Sequence, residues 1–290
     1  MEKVQITNSG KSALRFINDI FLNAYGNEIL NKLEDSARLT INNTNLAFTT
    51  DTFTVKPVFF PGGDIGKLAI CGTVNDLASA GARPIALSAG FVIEEGFPKE
   101  DLLKIVNSMS KIAKEVGVDI VAGDTKIVNS GDIDGIFINT SGIGLIMDKM
   151  NISCLNAKIG DDIIVTGSIG DHGVAILNLR EGLGFEPAIK SDVVSIFKLV
   201  ESLKKEAEFI HVMRDPTRGG VANILNEIAV SSKINIKVIE ENIYVKKDVR
   251  VCCDLLGLDP LYMANEGKLI LFVASCATEV ILDKLKSNDI

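Results

Sequence analysis

The stretch Pro61-Gly-Gly-Asp-Ile-Gly-Lys-Leu-Ala-Ile-Cys-Gly-Thr-Val-Asn-Asp-Leu-Ala-Ser-Ala-Gly-Ala-Arg-Pro84 decides how this chain is read. A Gly62-Gly63 turn runs into a helix that Asp64 can cap, and a second acid, Asp76, closes the same helix. A helix built only for burial has no use for Gly66, Gly72 and Gly81, because an interior glycine costs about 1 kcal/mol relative to alanine. Glycines let a ligand or another backbone come close. Acids beside them point to a polyanion that carries a metal ion.

Composition narrows the partners. The 290 residues carry a net charge of −8, and 47% of them are apolar. About 150 residues per domain gives roughly two domains. An acidic chain without a basic stripe argues against nucleic acid or an anionic membrane as partner, but not against a nucleotide that brings magnesium. No tryptophan is present, so base-stacking platforms are not expected. The first residues, Met-Glu-Lys-Val-Gln-Ile-Thr-Asn, contain no apolar signal segment, and no stretch has the roughly 18 apolar residues of a membrane helix. Five scattered cysteines without a CxxC pair exclude a zinc or disulfide framework and suit a reducing cytoplasm. Two histidines, His172 and His211, are too few for a histidine-rich metal site. The end at Asn288-Asp289-Ile290 has neither cap nor terminal strand, so the natural protein is expected to continue.

Periodicity predicts helices over 12–32, 64–79, 98–116, 171–180, 191–206, 219–230, 246–256 and 278–286. It predicts strands over 46–58, 85–93, 118–122, 133–146, 162–166, 235–239 and 268–274. Alternation in both halves favours an α/β protein of two domains, 1–148 and 149–290, joined by a polar linker within 149–158.

Five acids sit in short polar or glycine-rich contexts: Asp35, Asp51, Asp76, Asp124 and Asp215. Asp51 and Asp124 end apolar runs read as strands, and strand ends are where α/β proteins place ligands. Carboxylates without thiolate or imidazole suit magnesium, which takes one or two of them and completes its shell with water and phosphate. Taken singly, each acid serves equally well as a helix cap or turn former. Lys126 follows Gly123-Asp124-Thr125 and can reach a phosphate, or simply be solvated. Arg214 and Arg218 flank Asp215-Pro-Thr before a helix start, as anion ligands or as surface arginines. Glu266 is either a catalytic group or a turn residue. His172 reads first as a structural cap and Cys252-Cys253 as core. Neither Gly10-Lys11-Ser12 nor Gly66-Lys67 completes a P-loop, and Gly142-Ile-Gly144 continues a strand, so no dinucleotide fingerprint is present.

The run 61–84 together with Glu94-Glu-Gly-Phe-Pro98, Val121-Ala-Gly-Asp-Thr-Lys126, Gly170-Asp-His-Gly173 and Met213-Arg-Asp-Pro-Thr-Arg-Gly-Gly220 closely resembles the hydrogenase-maturation (HypE) family. That family belongs to the aminoimidazole ribonucleotide synthetase (PurM-like) superfamily, beside selenophosphate synthetase and thiamine-monophosphate kinase. The likeness runs along nearly the whole chain. It implies an N-terminal domain whose sheet forms a β-barrel with its twin at a homodimer interface, and a C-terminal α/β sandwich. It implies ATP-dependent dehydration of a carbamoylated C-terminal cysteine, a thiocarboxamide, to a thiocyanate that supplies cyanide to nickel-iron hydrogenase. The implied partners are HypF, as carbamoyl donor, and the HypC–HypD complex. The implied catalytic residues are Asp76, Lys126 and Glu266. Nucleotide contacts would come from Asp51, Gly62, Gly63, Asp64, Asn75, Gly123, Asp124, Thr125 and Lys126. Magnesium ligands would be Asp35, Asp51, Asp76, Asp124 and Asp215, with Arg214 and Arg218 on the substrate. Two departures stand out. Thr7-Asn-Ser-Gly-Lys-Ser12 replaces the family's His-Gly-X-Gly-Gly loop, and the family's closing Pro-Arg-X-Cys would lie past Ile290. A small-molecule kinase or synthetase of the superfamily, or a non-catalytic maturation scaffold, are the alternatives. A natural frame ending in Pro-Arg-X-Cys would favour the dehydratase.

Overall fold

The computed structural model describes residues 15–185 and 188–287. Its first sheet has five strands: β1 (Ala37–Ile41), β2 (Thr44–Phe53), β5 (Ala82–Glu94), β6 (Asp119–Val128) and β7 (Ile136–Ile146). The two-residue β3 (Phe59–Phe60) and β4 (Gly63–Asp64) pair separately beside it. The order is β1-β2-β7-β5-β6, antiparallel except for the parallel β5-β6 pair. Asn42 and Asn43 make the tight β1-β2 turn because both adopt positive φ, which asparagine tolerates. Helix α1 (Ile65–Ser79) lies on the sheet, and α2 (Lys99–Val116) makes the crossover between β5 and β6.

Helix α1 is apolar on every side, so it must be covered on every side, and 13 of its 15 residues are buried. Asp64 caps it, accepting from the amides of Gly66 at 2.8 Å and Lys67 at 3.0 Å. Gly66 exists for the helix crossing: a Cβ there would stand 2.4 Å from the carbonyl oxygen of Ile105 in α2.

The second sheet is β8 (Asp161–Val165), β10 (Ile270–Ala274) and β9 (Ile210–Arg214), in that order and antiparallel. Around it lie α3 (Asp171–Glu181), α4 (Phe197–Ser202), α5 (Gly220–Ser232), α6 (Lys247–Leu256) and α7 (Thr278–Lys286). One hydrophobic core joins Ile65, Leu77 and Leu87 of the first half to Ile196, Met213 and Leu271 of the second.

The α/β class holds, and within one chain the five strands form an open sheet with β1 and β6 at its edges. Three elements differ from the sequence reading. Residues 235–239 form no strand. The helix expected over 191–206 shrinks to α4, because residues 188–196 run without helix or strand and pass too close to their neighbours to coil. Ser191 N–H donates to the Pro61 carbonyl at 2.8 Å, and a Cβ on Gly267 would stand 2.1 Å from the Asp192 carbonyl oxygen. Of the helix expected over 12–32, short helical turns at 17–25 and 30–32 are found. The Thr7–Ser12 loop and Asn288–Ile290 lie outside the described residues. Among the described residues no helix is long and apolar enough to cross a membrane.

Candidate active site

The site forms where the last turns of α1, strand β2, the end of β9 and the loop before β10 meet. Asp76 comes from α1, Asp51 from β2, Asp215 from just past β9, Glu266 from the loop, and Asp35 from the segment before β1. Asp215 is buried, Asp35, Asp76 and Glu266 are half-buried, and Asp51 reaches solvent at the mouth.

These five carboxyls perturb one another. Loss of water is the largest cause in each, and neighbouring acids add to it at Asp35, Asp76, Asp215 and Glu266. Asp76 is raised well above the usual carboxylate range by burial, then by Asp215 and Asp35, against a hydrogen bond from Thr49. Glu266 is raised by burial and by Asp215, Asp192 and Asp51. Asp215 is pushed up to about 6 by burial, although the Arg214 charge and its own backbone amide draw it down. Asp35 is raised by burial in spite of Arg214. Asp51 is raised by the protein on its inner side, with Arg218 opposing.

One buried cation answers this charge. Arg214 Nε stands 2.7 Å from Asp35 Oδ1, and its guanidinium reaches Glu227 at 3.4 Å and the Cys154 sulfur at 3.0 Å. Burial opposes the charge of Arg214, but Asp35, Cys154 and Glu227 outweigh that, so it stays protonated. Burial also pushes the Cys154 thiol up to about 12, which makes it an inert neighbour. Arg218 is exposed and touches the group only through the field at Asp51.

The structure divides the residues singled out from sequence. Asp35, Asp51, Asp76, Asp215, Glu266 and Arg214 come together. Gly123, Asp124, Thr125 and Lys126 do not join them within one chain: they lie on β6, where nine of ten residues are exposed. Asp51, Thr140, Ala89 and Gly123 form one row across the sheet, so three strand spacings, about 14 Å, separate Asp51 from Gly123. Gly62 and Gly63 pass close to the segment 188–196, where Cβ atoms would meet the Ser191 carbonyl oxygen at 2.4 Å and Val193 Cγ1 at 2.7 Å, while Gly62 stays exposed on its other side. Asp64 is occupied as the α1 cap. Asn75 is 1% exposed and bonded to backbone on both its polar atoms.

The acids surround a space rather than converge on one point. Among the described residues no three aspartate, glutamate, histidine or cysteine side chains form a ready metal cluster, and Asp124 stands apart from the other four candidate ligands. The fit to magnesium is nonetheless good. Asp35 Oδ2 is buried without a partner, and five acids face one buried arginine. An ion that uses one or two carboxylates and phosphate oxygens needs no protein cage.

Comparison with known proteins follows the same lines. The AIR synthase related protein N-terminal domain matches residues 33–146 and the corresponding C-terminal domain matches 158–290. The chain is 46% identical over 279 residues to the carbamoyl dehydratase HypE of Azotobacter vinelandii, covering 96% of this chain and 82% of that protein. With the Escherichia coli K12 carbamoyl dehydratase HypE it shares 42% over 295 residues, covering 99% and 88%. The chain belongs to the HypE family of carbamoyl dehydratases. Among HypE structures, one in a HypE–HypF complex superposes with a TM-score of 0.91 at 51% identity, covering 94% of this chain and 89% of that one. Another, HypE in complex with ATP, gives 0.82 at 49%, covering 95% and 82%. A thiamine monophosphate kinase from Aquifex aeolicus, at 17% identity and a TM-score of 0.69, shares the fold.

Three residues of this HypE-family site escape sequence reasoning. Thr49 Oγ1 lies 2.7 Å from Asp76 Oδ2 and 2.9 Å from the Asp35 carbonyl oxygen, joining two of the acids. Asn265 is fully buried and ties together three loops, taking the Gly170 amide at 2.8 Å and donating to the Pro216 and Met263 carbonyls. Asp192 accepts the Glu266 amide at 3.2 Å. Thr49 and Asn265 stand one or two residues from nominated acids, which is a signal of sorts. Asp192 offers none, since its role exists only once 188–196 is laid beside Gly267.

Proposed function

We propose that this chain dehydrates a carbamoylated cysteine to a thiocyanate at the expense of ATP, as a step in supplying cyanide to nickel-iron hydrogenase. The observation that carries the reading is the group of crowded, under-neutralised acids around Asp76 in a chain 46% identical to a carbamoyl dehydratase. An amide oxygen is a poor leaving group and a phosphate ester a good one. The carbonyl oxygen therefore leaves as phosphate, and the two nitrogen protons go to a base. Magnesium, when bound with the nucleotide, would neutralise phosphate charge and would be held by Asp76, Asp215, Asp51 and Asp35. Glu266 is the candidate proton acceptor, because burial and the neighbouring acids Asp215, Asp192 and Asp51 raise its carboxyl and favour proton uptake, while Asp76 sits on the metal side of the site. Arg214 keeps Asp35 in place and limits the negative charge.

A homodimer supports the part of the site that one chain leaves apart. On β6, Val121 and Ile127 are each 68% exposed, an apolar edge strand of a kind that is normally paired or covered. A second copy against this edge would bring a Lys126 toward an acid cluster as a charge for phosphate. HypF is the expected carbamoyl donor and HypC–HypD the expected acceptor complex. The units 1–148 and 149–290 and a cytoplasmic setting belong to the same reading.

Calorimetry of ATP binding with and without magnesium, on the parent and on Asp76→Asn, tests it. Magnesium-dependent binding that disappears in the variant is expected. Undiminished binding by Asp76→Asn removes Asp76 from the site.

A further inference from the structure

We propose that Asn75, although next to Asp76 in a nucleotide-facing motif, does not touch nucleotide but sets the distance between Asp76 and Glu266. The inference rests on the catalytic reading of those two acids given above. A side-chain amide has two N–H donors and one acceptor oxygen. Both Asn75 donors are taken by carbonyls of the second half, Val194 at 3.0 Å and Glu266 at 3.2 Å. Its oxygen accepts the Ile196 amide at 2.9 Å. With 1% of its surface exposed, no donor remains to offer a phosphate or an adenine.

One of the three bonds ties α1, which carries Asp76, to the loop that carries Glu266, and the other two tie α1 to the segment 188–196 that lies against that loop. The loop cannot answer by sliding. The Glu266 amide is held by Asp192 Oδ1 at 3.2 Å, and Gly267 is pressed against the Asp192 carbonyl. The other side of the joint is equally fixed, since the Asp76 carbonyl accepts from Ser36 Oγ at 3.0 Å. The side chain that joins the two catalytic elements is therefore the immediate neighbour of one acid and a direct hydrogen-bond partner of the other's backbone. Removing it strips the Val194 carbonyl and the Ile196 amide of this partner and leaves the Glu266 carbonyl only the 3.4 Å bond from the Val194 amide, at the place where the two halves are aligned. A misplacement of about 1 Å between reacting groups costs on the order of 100-fold in rate.

The test is steady-state ATP turnover by the full-length protein with magnesium and its carbamoyl donor protein, together with calorimetric ATP affinity, for Asn75→Ala and Asp192→Asn. Asn75→Ala should lower kcat roughly 100-fold while the KM and Kd for ATP stay within about threefold. Asp192→Asn, which weakens the second hold on the Glu266 amide, should lower kcat in the same sense. Glu266→Gln, damaging in the parent, should cost little more in the Asn75→Ala background, since groups that act as a unit are non-additive. Where Asn75→Ala does not fold, judged by its melting curve, Asn75→Ser takes its place. Weaker ATP binding with kcat retained makes Asn75 a nucleotide contact and overturns the proposal. Unchanged kcat and KM also overturn it, leaving Asn75 as packing alone. These outcomes are read beside Asp76→Asn. If that variant is inactive while Asn75→Ala is normal, only the positioning role fails. If Asp76→Asn turns over at the parent rate, the reading of the site fails.

Discussion

Asp76 and Asp124 look alike in the sequence, each an aspartate after a small polar or glycine residue at the edge of an apolar run, yet they occupy opposite environments. Asp76 lies in the last turns of a helix with 13 of 15 residues buried, and its carboxyl is driven up by lost water and by three neighbouring acids. Asp124 lies on an edge strand exposed along nine of ten residues. The helix residue meets its partners inside its own chain, because α1 is wedged between sheet and second half. Among the described residues the strand residue meets none of the other acids, because β6 has a neighbour on one side only. On the homodimer reading proposed above, the second motif would be completed by whatever covers β6.

The largest effect expected from breaking this contrast is at Asp76. Asp76→Asn should reduce ATP turnover by about 1000-fold, the scale of removing one preorganised charge from an active site. It should also remove the magnesium-ATP stabilisation of the parent, about 5–10 °C at a hundredfold excess over Kd, in a thermal melt. Without metal or nucleotide the variant should melt no lower than the parent, because an acid crowded by like charges has gone.

The second test asks whether β6 serves a neighbour. On the homodimer reading, inactive Lys126→Ala and inactive Asp76→Asn proteins, mixed and allowed to exchange subunits, should recover about a quarter of parental turnover, since half the dimers are mixed and each then holds one intact site. No recovery after verified exchange would mean that Lys126 acts within its own chain.

A third test uses a buried ionisable group away from the acids. Burial holds His172, whose Nδ1 is 2.8 Å from Ser191 Oγ, down at about 4. The unfolded chain takes up this proton near pH 6.5 and the folded one does not, so the contribution is complete above pH 6.5 and lost as pH falls toward 4. Linkage puts it at about 3 kcal/mol at most. Asp215, raised to about 6, works in the opposite sense, favouring the fold as pH falls from 6 toward 4. Urea melts from pH 7 to 4 should therefore show a shallower acid loss for His172→Gln than for the parent. An unchanged slope would mean that His172 is protonated in the fold.

The smallest expected effect is at Gly123→Ala. The new Cβ would stand 2.7 Å from the Ala89 carbonyl oxygen across the β5-β6 pair. About 1–3 kcal/mol of destabilisation is expected from such overpacking, less if the edge strand shifts outward. Gly66→Ala, facing Ile105 in the interior at 2.4 Å, should cost more because α1 has nowhere to move. Equal losses in paired urea titrations would show that β6 is as tightly held as the core.

Much of this was legible in the residues. The period of α2 and the capping of α1 by Asp64 follow from local rules, and both helices form within a residue or so of their expected limits. The acids at 35, 51, 76 and 215 and Glu266 stand out by their short polar or glycine-bearing surroundings. What failed was whatever depended on a distant strand. The segment 188–196 has the apolar spacing of a helix, but Gly62, Gly63 and Gly267 let it pass so close that it stays uncoiled. Asn75 reads as a ligand by its place beside Asp76, until Val194, Glu266 and Ile196 are found on its amide.

The family, the alternation of helices and strands, and the acids that gather at the end of α1 are readable from the residues alone, because caps, periodicity and motif wording act over a few residues. Which members of those motifs meet was set by the folded structure. It assigned Asn75 to a latch and Gly62-Gly63 to a close crossing, and it left Gly123–Lys126 on an open edge. Each of those outcomes depends on contacts between residues far apart in the chain, which local pattern does not encode.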